Sequence, residues 1–288
     1  MIDRKQLKFA ARGYMKAAKP SPWTVSMIAC IITLILSVLS TQVTNLPAMQ
    51  AALTEYYQTL DMEAYIAAMQ AAQPDFAAML INLLLGFMST MIGAGLIIFI
   101  MRTVRDHKGS VGNLLDAFPV LIRIFCYQVV SSVLIFLWAL LFIIPGIIAS
   151  YRYRQGLYLL LDHPEMGIMD CIRTSKNLMD GHKWELFVMD LSFLLWNLAV
   201  AVLSSALGSL MLHTIEINAD LLDAVLSSAL GILMPLLFVE LLVLPLSAFV
   251  TIYTGISYFL YYEALHGATY DSRISSEGSA PADSDFSA

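Results

Sequence analysis

The sequence predicts an all-α protein: a polytopic transmembrane helix bundle of about six crossings, with amphipathic cytoplasmic helices at the N-terminus and mid-chain. Three observations point there. Hydrophobic residues make up 59% of the 288 positions and charged residues only 13%, where a soluble domain carries about 25% charged. The apolar residues are gathered into long runs, and about 20 of them in a helix suffice to cross ~30 Å of hydrocarbon. Some of the connections between those runs carry several Lys and Arg, while the others are acidic and carry none.

Residues 1–22 come first and carry Arg4, Lys5, Lys8, Arg12, Lys16 and Lys19. At helical spacing all six fall within a sector of about 120°, with Leu7, Ala10, Ala11, Tyr14, Ala17 and Ala18 opposite. An interfacial helix whose basic edge meets anionic headgroups is one reading. A solvated cytoplasmic helix that only sets orientation is the other. Trp23 then marks the membrane boundary, and the run 23–46 is too long for a signal-peptide core, so it reads as an anchor that stays.

The segment 47–76 holds Glu55, Asp61, Glu63 and Asp75 without a single Lys or Arg, so it reads as an outer loop. Asp61 suits the N-cap of a helix ending before Pro74. The second run, 77–101, spaces Gly86, Thr90 and Ala94 four apart, and likewise Ser89 and Gly93. Small residues at that spacing let helices approach closely. Arg102, Arg105 and Lys108 return the chain to the inside.

Arg173, Lys176 and Lys183 make 163–183 an inside segment as well. Two consecutive inside segments need an even number of crossings between them, so 117–143 and 144–162 read as a hairpin. Its outer turn is expected at Ile144-Pro145-Gly146, with a re-entrant segment as the alternative. Residues 163–183 read as an inner amphipathic helix, with Asp162 as cap, Pro164 in its first turn and Gly181 at its end. Ile168, Ile172, Ser175 and Met179 share one face, and Asp170, Arg173, Lys176 and Asp180 supply the charge. The plain reading is a helix lying under the bundle, and the sharper one is a docking surface. Lys183 and Trp184 anchor the entry to the run 184–212. Acidic 213–223 is outside, and 222–262 closes the bundle of 23–265 as one span kinked at Pro235 and Pro245, or as two. The tail 266–288 reads as disordered.

Ionisable residues inside apolar runs carry the functional weight: Arg123, Arg152, Arg154, Asp190 and Glu240. Each costs roughly 2.5–3.5 kcal/mol at the bilayer centre, so partners or water are expected. Glu240 is expected to pair with Arg152 or Arg154, as a structural ion pair or as part of a transport path. Cys30, Cys126 and Cys171 are isolated and read as small core residues. The charge of −6 suggests no nucleic-acid partner. No HExxH, GxSxG, phosphate-binding loop or dinucleotide fingerprint occurs, and the five histidines lack ligand spacing, so no catalytic residue, metal or cofactor is expected.

The stretch from Ser175 to Phe187, SKNLMDGHKWELF, continues into Leu191-Ser192-Phe193-Leu194-Leu195-Trp196. It resembles domain-of-unknown-function family 975, multi-pass membrane proteins mostly of Gram-positive bacteria. Ile144-Pro145-Gly146 with Tyr151-Arg152-Tyr153, and Pro245 with Tyr258, Phe259 and Tyr261, are similar to two further family segments. Asp180 departs from the pattern where a basic residue is expected, as does Leu195 where glycine is frequent. The resemblance implies a multi-pass membrane protein and supplies no catalytic residue. The expectation is a non-enzymatic accessory or scaffold protein of the bacterial plasma membrane, N-terminus cytoplasmic, with the lipid bilayer and a membrane protein as partners. A small-solute transporter or channel is the rival, and a lipid-handling protein the third reading.

Overall fold

The computed structural model describes residues 4–43, 52, 56, 59–217 and 233–277. The acidic residues Glu55, Asp220 and Asp223 and the tail beyond 277 lie outside them. The described residues form helices and turns without a strand. We number the helices α1 (Arg4–Ala17), α2 (Pro22–Val43), α3 (Met62–Ala71), α4 (Phe76–Arg105), α5 (Leu121–Leu141), α6 (Ile143–Tyr153), α7 (Gly156–Asp162), α8 (Ile168–Leu178), α9 (Lys183–Ile217) and α10 (Leu233–Glu277).

Among the described residues five stretches are long and apolar enough to cross a membrane: 22–43, 76–105, 111–141, 183–210 and 237–267. At most 39% of the most apolar window of any of them is buried inside the protein. The rest presents large apolar side chains outward, Ile122, Phe136, Leu140, Leu195 and Leu241 among them. Such a surface is covered by hydrocarbon in a membrane, and the protein is membrane-embedded.

Five spans among the described residues differ from the expected six, and the difference lies at 144–162. That run is two short helices, α6 of 11 residues and α7 of 7, separated by a turn at Arg154–Gln155. Neither is long enough to cross alone. The hairpin turn also sits earlier than Ile144. Phe142 is extended (φ −159°, ψ 149°), and α6 starts at once, so that Pro145 occupies its first turn, where a missing N–H costs nothing.

The chain folds as two compact units. One comprises 15–119 and 192–253. Here α2 is tied to α10 by Trp23 Nε1, which donates to the Pro245 carbonyl at 3.0 Å, and by Ser26, which donates to the Ala248 carbonyl at 2.9 Å. Asp61 caps α3, accepting from the amides of Glu63 and Ala64. Asp75 does the same for α4 through Ala78. Past α4 a 3₁₀ turn at Val111–Leu115 folds back on the helix. Asp116 locks it, accepting from Arg102 at 2.5 Å and from Asn113 at 2.7 Å. The close approach within α4 is at Gly95, pressed on the Leu114 backbone, whereas a side chain at Gly86 or Gly93 would meet nothing within 4 Å.

The other unit comprises residues up to 14, 120–191 and 254 onward. Its frame is the antiparallel pair α5 and α6. A side chain at Gly146 would collide with Ala139, and one at Gly156 with the Tyr127 ring. The Tyr127 hydroxyl reaches through that gap and donates to the Tyr153 carbonyl. Helix α8 lays Cys171, Ile172, Ser175 and Leu178 inward, while Asp170, Arg173 and Lys176 stay exposed. It begins at Ile168 with Gly167 as cap, later than Asp162 and Pro164 suggested. The reason is that 163–167 is engaged elsewhere: Arg123 donates to the carbonyls of Pro164 and Met166, and Asp162 accepts from Tyr262 at 3.0 Å. Ser175 Oγ donates to the Arg152 carbonyl at 2.7 Å and pins α8 to α6. Ser175→Ala is expected to lower stability in detergent by about 1 kcal/mol, and a change under a few tenths in equilibrium unfolding would count against that bond.

Candidate functional site

In the second unit one charged residue and two tyrosines converge on Asp190. Sequence places it two turns into α9, whose start is set by Gly181, held at φ +80° where only glycine is comfortable. Asp180, unexpected at its position, accepts from Lys183 Nζ at 2.9 Å. That ammonium holds the Asp180 carboxyl below the usual range. Trp184 is 71% exposed and stacks on Phe187. Lys183 and Trp184 therefore stand together at the head of α9, as interfacial anchors would.

Three donors from two other helix segments meet the Asp190 carboxylate. Arg154, at the end of α6, forms the ion pair with Oδ2. Tyr151 on α6 donates to the same oxygen at 3.0 Å, and Tyr258 on α10 donates to Oδ1 at 2.5 Å. The Arg154 guanidinium also lies over the Tyr258 ring, 4.2 Å from its centre, within range for a cation–π contact. The side chains of Arg154 and Asp190 are 35% and 24% exposed, so the pair is partly shielded. Formal charge within the cluster cancels.

Beside this cluster is a cavity of about 360 Å³, lined among others by Tyr127, Gln128, Ser131, Ser150, Arg154 and Asp190. Ser131 donates to the Gln128 carbonyl at 3.1 Å and Ser150 to the Ile147 carbonyl at 2.7 Å. Tyr127, Tyr151, Ser131 and Ser150 thus direct their hydrogens at protein atoms. Their oxygens can accept from a solute, while Gln128 and Arg154 hold the remaining N–H groups. Such a wall suits a small polar molecule better than an apolar one.

The five ionisable residues singled out by sequence are therefore divided. Arg154 and Asp190 meet. Arg123 serves the 163–167 connection, and Arg152 offers its carbonyl to Ser175 while its buried Nε has no hydrogen-bond partner among the described residues. Glu240 belongs to the first unit, in a different cavity. The carboxylate that pairs with Arg154 is thus Asp190 and not Glu240, because α9 brings it to the end of α6. Tyr151 and Tyr258 were not legible as partners from charge or hydropathy; only the quoted tyrosine-rich segments touched them.

Two further features frame the site. Tyr158, Phe259, Tyr262 and His266 stack in series, with Tyr158 and Tyr262 centred 5.4 Å apart. Tyr261 donates to the His182 carbonyl at 3.0 Å, fastening α10 to the turn that ends in α9. Cys171 is fully buried in α8, and burial pushes its thiol up, away from reactivity. Cys30 and Cys126 are half-buried. Among the described residues no three His, Cys, Asp or Glu side chains are placed to hold a metal ion.

No curated protein matches the chain. No solved structure matches it either. A family does, over residues 139–269, which include Tyr151, Arg154, Asp190 and Tyr258 and exclude Arg123 and the basic N-terminal helix. That segment, the one that builds the Asp190 cluster, matches the family described as Protein of unknown function (DUF975).

Proposed function

We propose that this is a non-enzymatic accessory or scaffold protein of the bacterial plasma membrane, with its N-terminus in the cytoplasm. The observation that carries the reading is the engagement of Asp190 by three protein donors. Its two oxygens accept from Arg154, Tyr151 and Tyr258, so this ion pair is committed to holding α6, α9 and α10 together. A carboxylate so engaged has its oxygens turned to protein donors and not to a substrate. What remains available for contact is the charged exterior of two amphipathic helices.

On α8 that exterior is Asp170, Arg173 and Lys176, a face suited to a membrane-protein partner. On α1 it includes Lys5, Arg12 and Lys16, with Phe9 among them 79% exposed. An exposed aromatic ring between basic residues supports contact with a bilayer rich in anionic headgroups. Orientation follows the basic connections: Arg102, Arg105 and Lys108, and later Arg173, Lys176 and Lys183, are retained inside with the N-terminus.

A second reading, a small-solute transporter or channel, is favoured by the 360 Å³ cavity beside Arg154, whose lining mixes polar and apolar side chains. The test is purification in mild detergent followed by mass spectrometry of what accompanies the protein. A stoichiometric protein partner is expected. A solitary protein would shift the reading to solute movement, and tightly retained lipid would shift it to lipid handling.

A further inference from the structure

An open cavity of about 380 Å³, with Glu240 exposed on its wall, lies within the first unit, between α2, α4 and α10. Its polar wall is Thr33, Ser37, Ser89, Glu240 and Ser247, with Leu34 and Leu244 as apolar lining. Three of those hydroxyls are already committed as donors. Thr33 donates to the Cys30 carbonyl at 3.0 Å, Ser37 to the Leu34 carbonyl at 2.8 Å, and Ser247 to the Leu244 carbonyl at 2.9 Å. A hydroxyl has one hydrogen and two lone pairs, so toward the cavity these oxygens only accept. An ionised Glu240 also only accepts.

The sequence adds a second, independent observation. No Lys or Arg occurs between Lys19 and Arg102, nor between Lys183 and Arg273. The apolar stretches that wall the cavity, 20–101 and 184–272, therefore bring no fixed cation to it; Arg102 and Arg105 stand in the last turn of α4, beyond them. A carboxylate in an apolar span costs roughly 2.5–3.5 kcal/mol on insertion scales unless it is compensated. Here the compensation is left to something mobile that carries positive charge and hydrogen-bond donors.

We propose that this cavity binds a small organic ammonium ion. Its N–H groups face Glu240 and the oxygens of Thr33, Ser37 and Ser247, and its short carbon chain lies against Leu34 and Leu244. The size supports an organic ligand, since a cavity in the range of small-molecule pockets, about 300–1,000 Å³, is far larger than a bare metal ion. The site stands apart from the Asp190 cluster and from the scaffold reading built on it.

The test uses the full chain in detergent, titrated with n-propylammonium chloride while thermal unfolding is followed at constant ionic strength. Sodium chloride, potassium chloride and n-propanol are the comparisons. A saturable rise in Tm with propylammonium alone is expected, and Glu240→Gln should weaken it about tenfold or more. Ser37→Ala with Ser247→Ala should weaken it several-fold. That double variant decides the matter where Glu240→Gln does not fold. Absence of a saturable shift, an equal shift with sodium or potassium, or unchanged affinity in the decisive variant would each overturn the proposal.

Discussion

Asp190→Ala is expected to destabilise the protein by about 3 kcal/mol, the largest effect of any single polar substitution. Removing one partner of a shielded ion pair leaves the other charge uncompensated, which costs about 3–5 kcal/mol when burial is complete. The Arg154 side chain keeps 35% of its exposure, and that places the expected loss at the low end. Two tyrosine hydroxyls lose their acceptor in the same step. Asp190→Asn should cost less, because an amide oxygen still accepts from Tyr151 or Tyr258. Tyr258→Phe should cost about 1 kcal/mol, one hydrogen bond.

The double variant Arg154→Met with Asp190→Leu separates a clamp from a mere charge. Replacing both ions by apolar residues of similar size removes the penalty of an orphaned charge. The double variant is therefore expected to be markedly more stable than Asp190→Ala. Unfolding in mixed micelles measures all of these as one cycle. Strict additivity of the single losses would mean that the two residues do not act as a pair.

That pair was only half legible in the sequence. Hydropathy and charge located both Arg154 and Asp190 as ionisable residues in apolar runs, because a bilayer makes such residues conspicuous whatever their neighbours. Neither property says which helices touch. Glu240 was the expected partner on grounds of depth, yet it shares a cavity with Ser37 and Ser89. The tyrosines were invisible for a related reason: an aromatic residue in a membrane span reads as apolar, and its hydroxyl matters only once a carboxylate is near.

Local signals fared better than tertiary ones. Asp61 as a cap, Gly181 as a helix stop and the inward placement of Ile172 and Ser175 follow from residue chemistry within a few positions, and all three stand in the structure. Cys171 and Leu178 join that face, while Ile168 is only half-buried. The start of α8 did not follow. Pro164 is a good first-turn residue, but Arg123, some forty residues earlier, holds its carbonyl and that of Met166 in a turn. The run 144–162 has the length of one span, and its division at Arg154–Gln155 coincides with Arg154 turning to Asp190. A hydropathy pattern carries no trace of such a break.

The small-residue spacing in α4 leads to the second large expectation. Gly86, Thr90 and Ala94 repeat at four residues, the pattern that lets helices approach, but the structure puts the tight contact at Gly95. A Cβ there would lie 2.1 Å from the Leu114 carbonyl oxygen and 2.5 Å from its carbon. Both atoms are backbone, so no rotamer change relieves the clash. Leu114 cannot withdraw easily, because its turn is fastened to α4 through Asp116 and Arg102. Overpacking of this kind costs about 3 kcal/mol, offset by about 1 kcal/mol of helix propensity gained on leaving glycine. Gly95→Ala should therefore lose about 2 kcal/mol, while Gly86→Ala and Gly93→Ala, with open space around them, should be neutral or gain up to about 1 kcal/mol. The three variants unfolded side by side in detergent distinguish the two accounts of α4. Were Gly86→Ala the damaging one and Gly95→Ala silent, the stripe at 86, 90 and 94 would be the working contact, and its partner would be another molecule in the membrane.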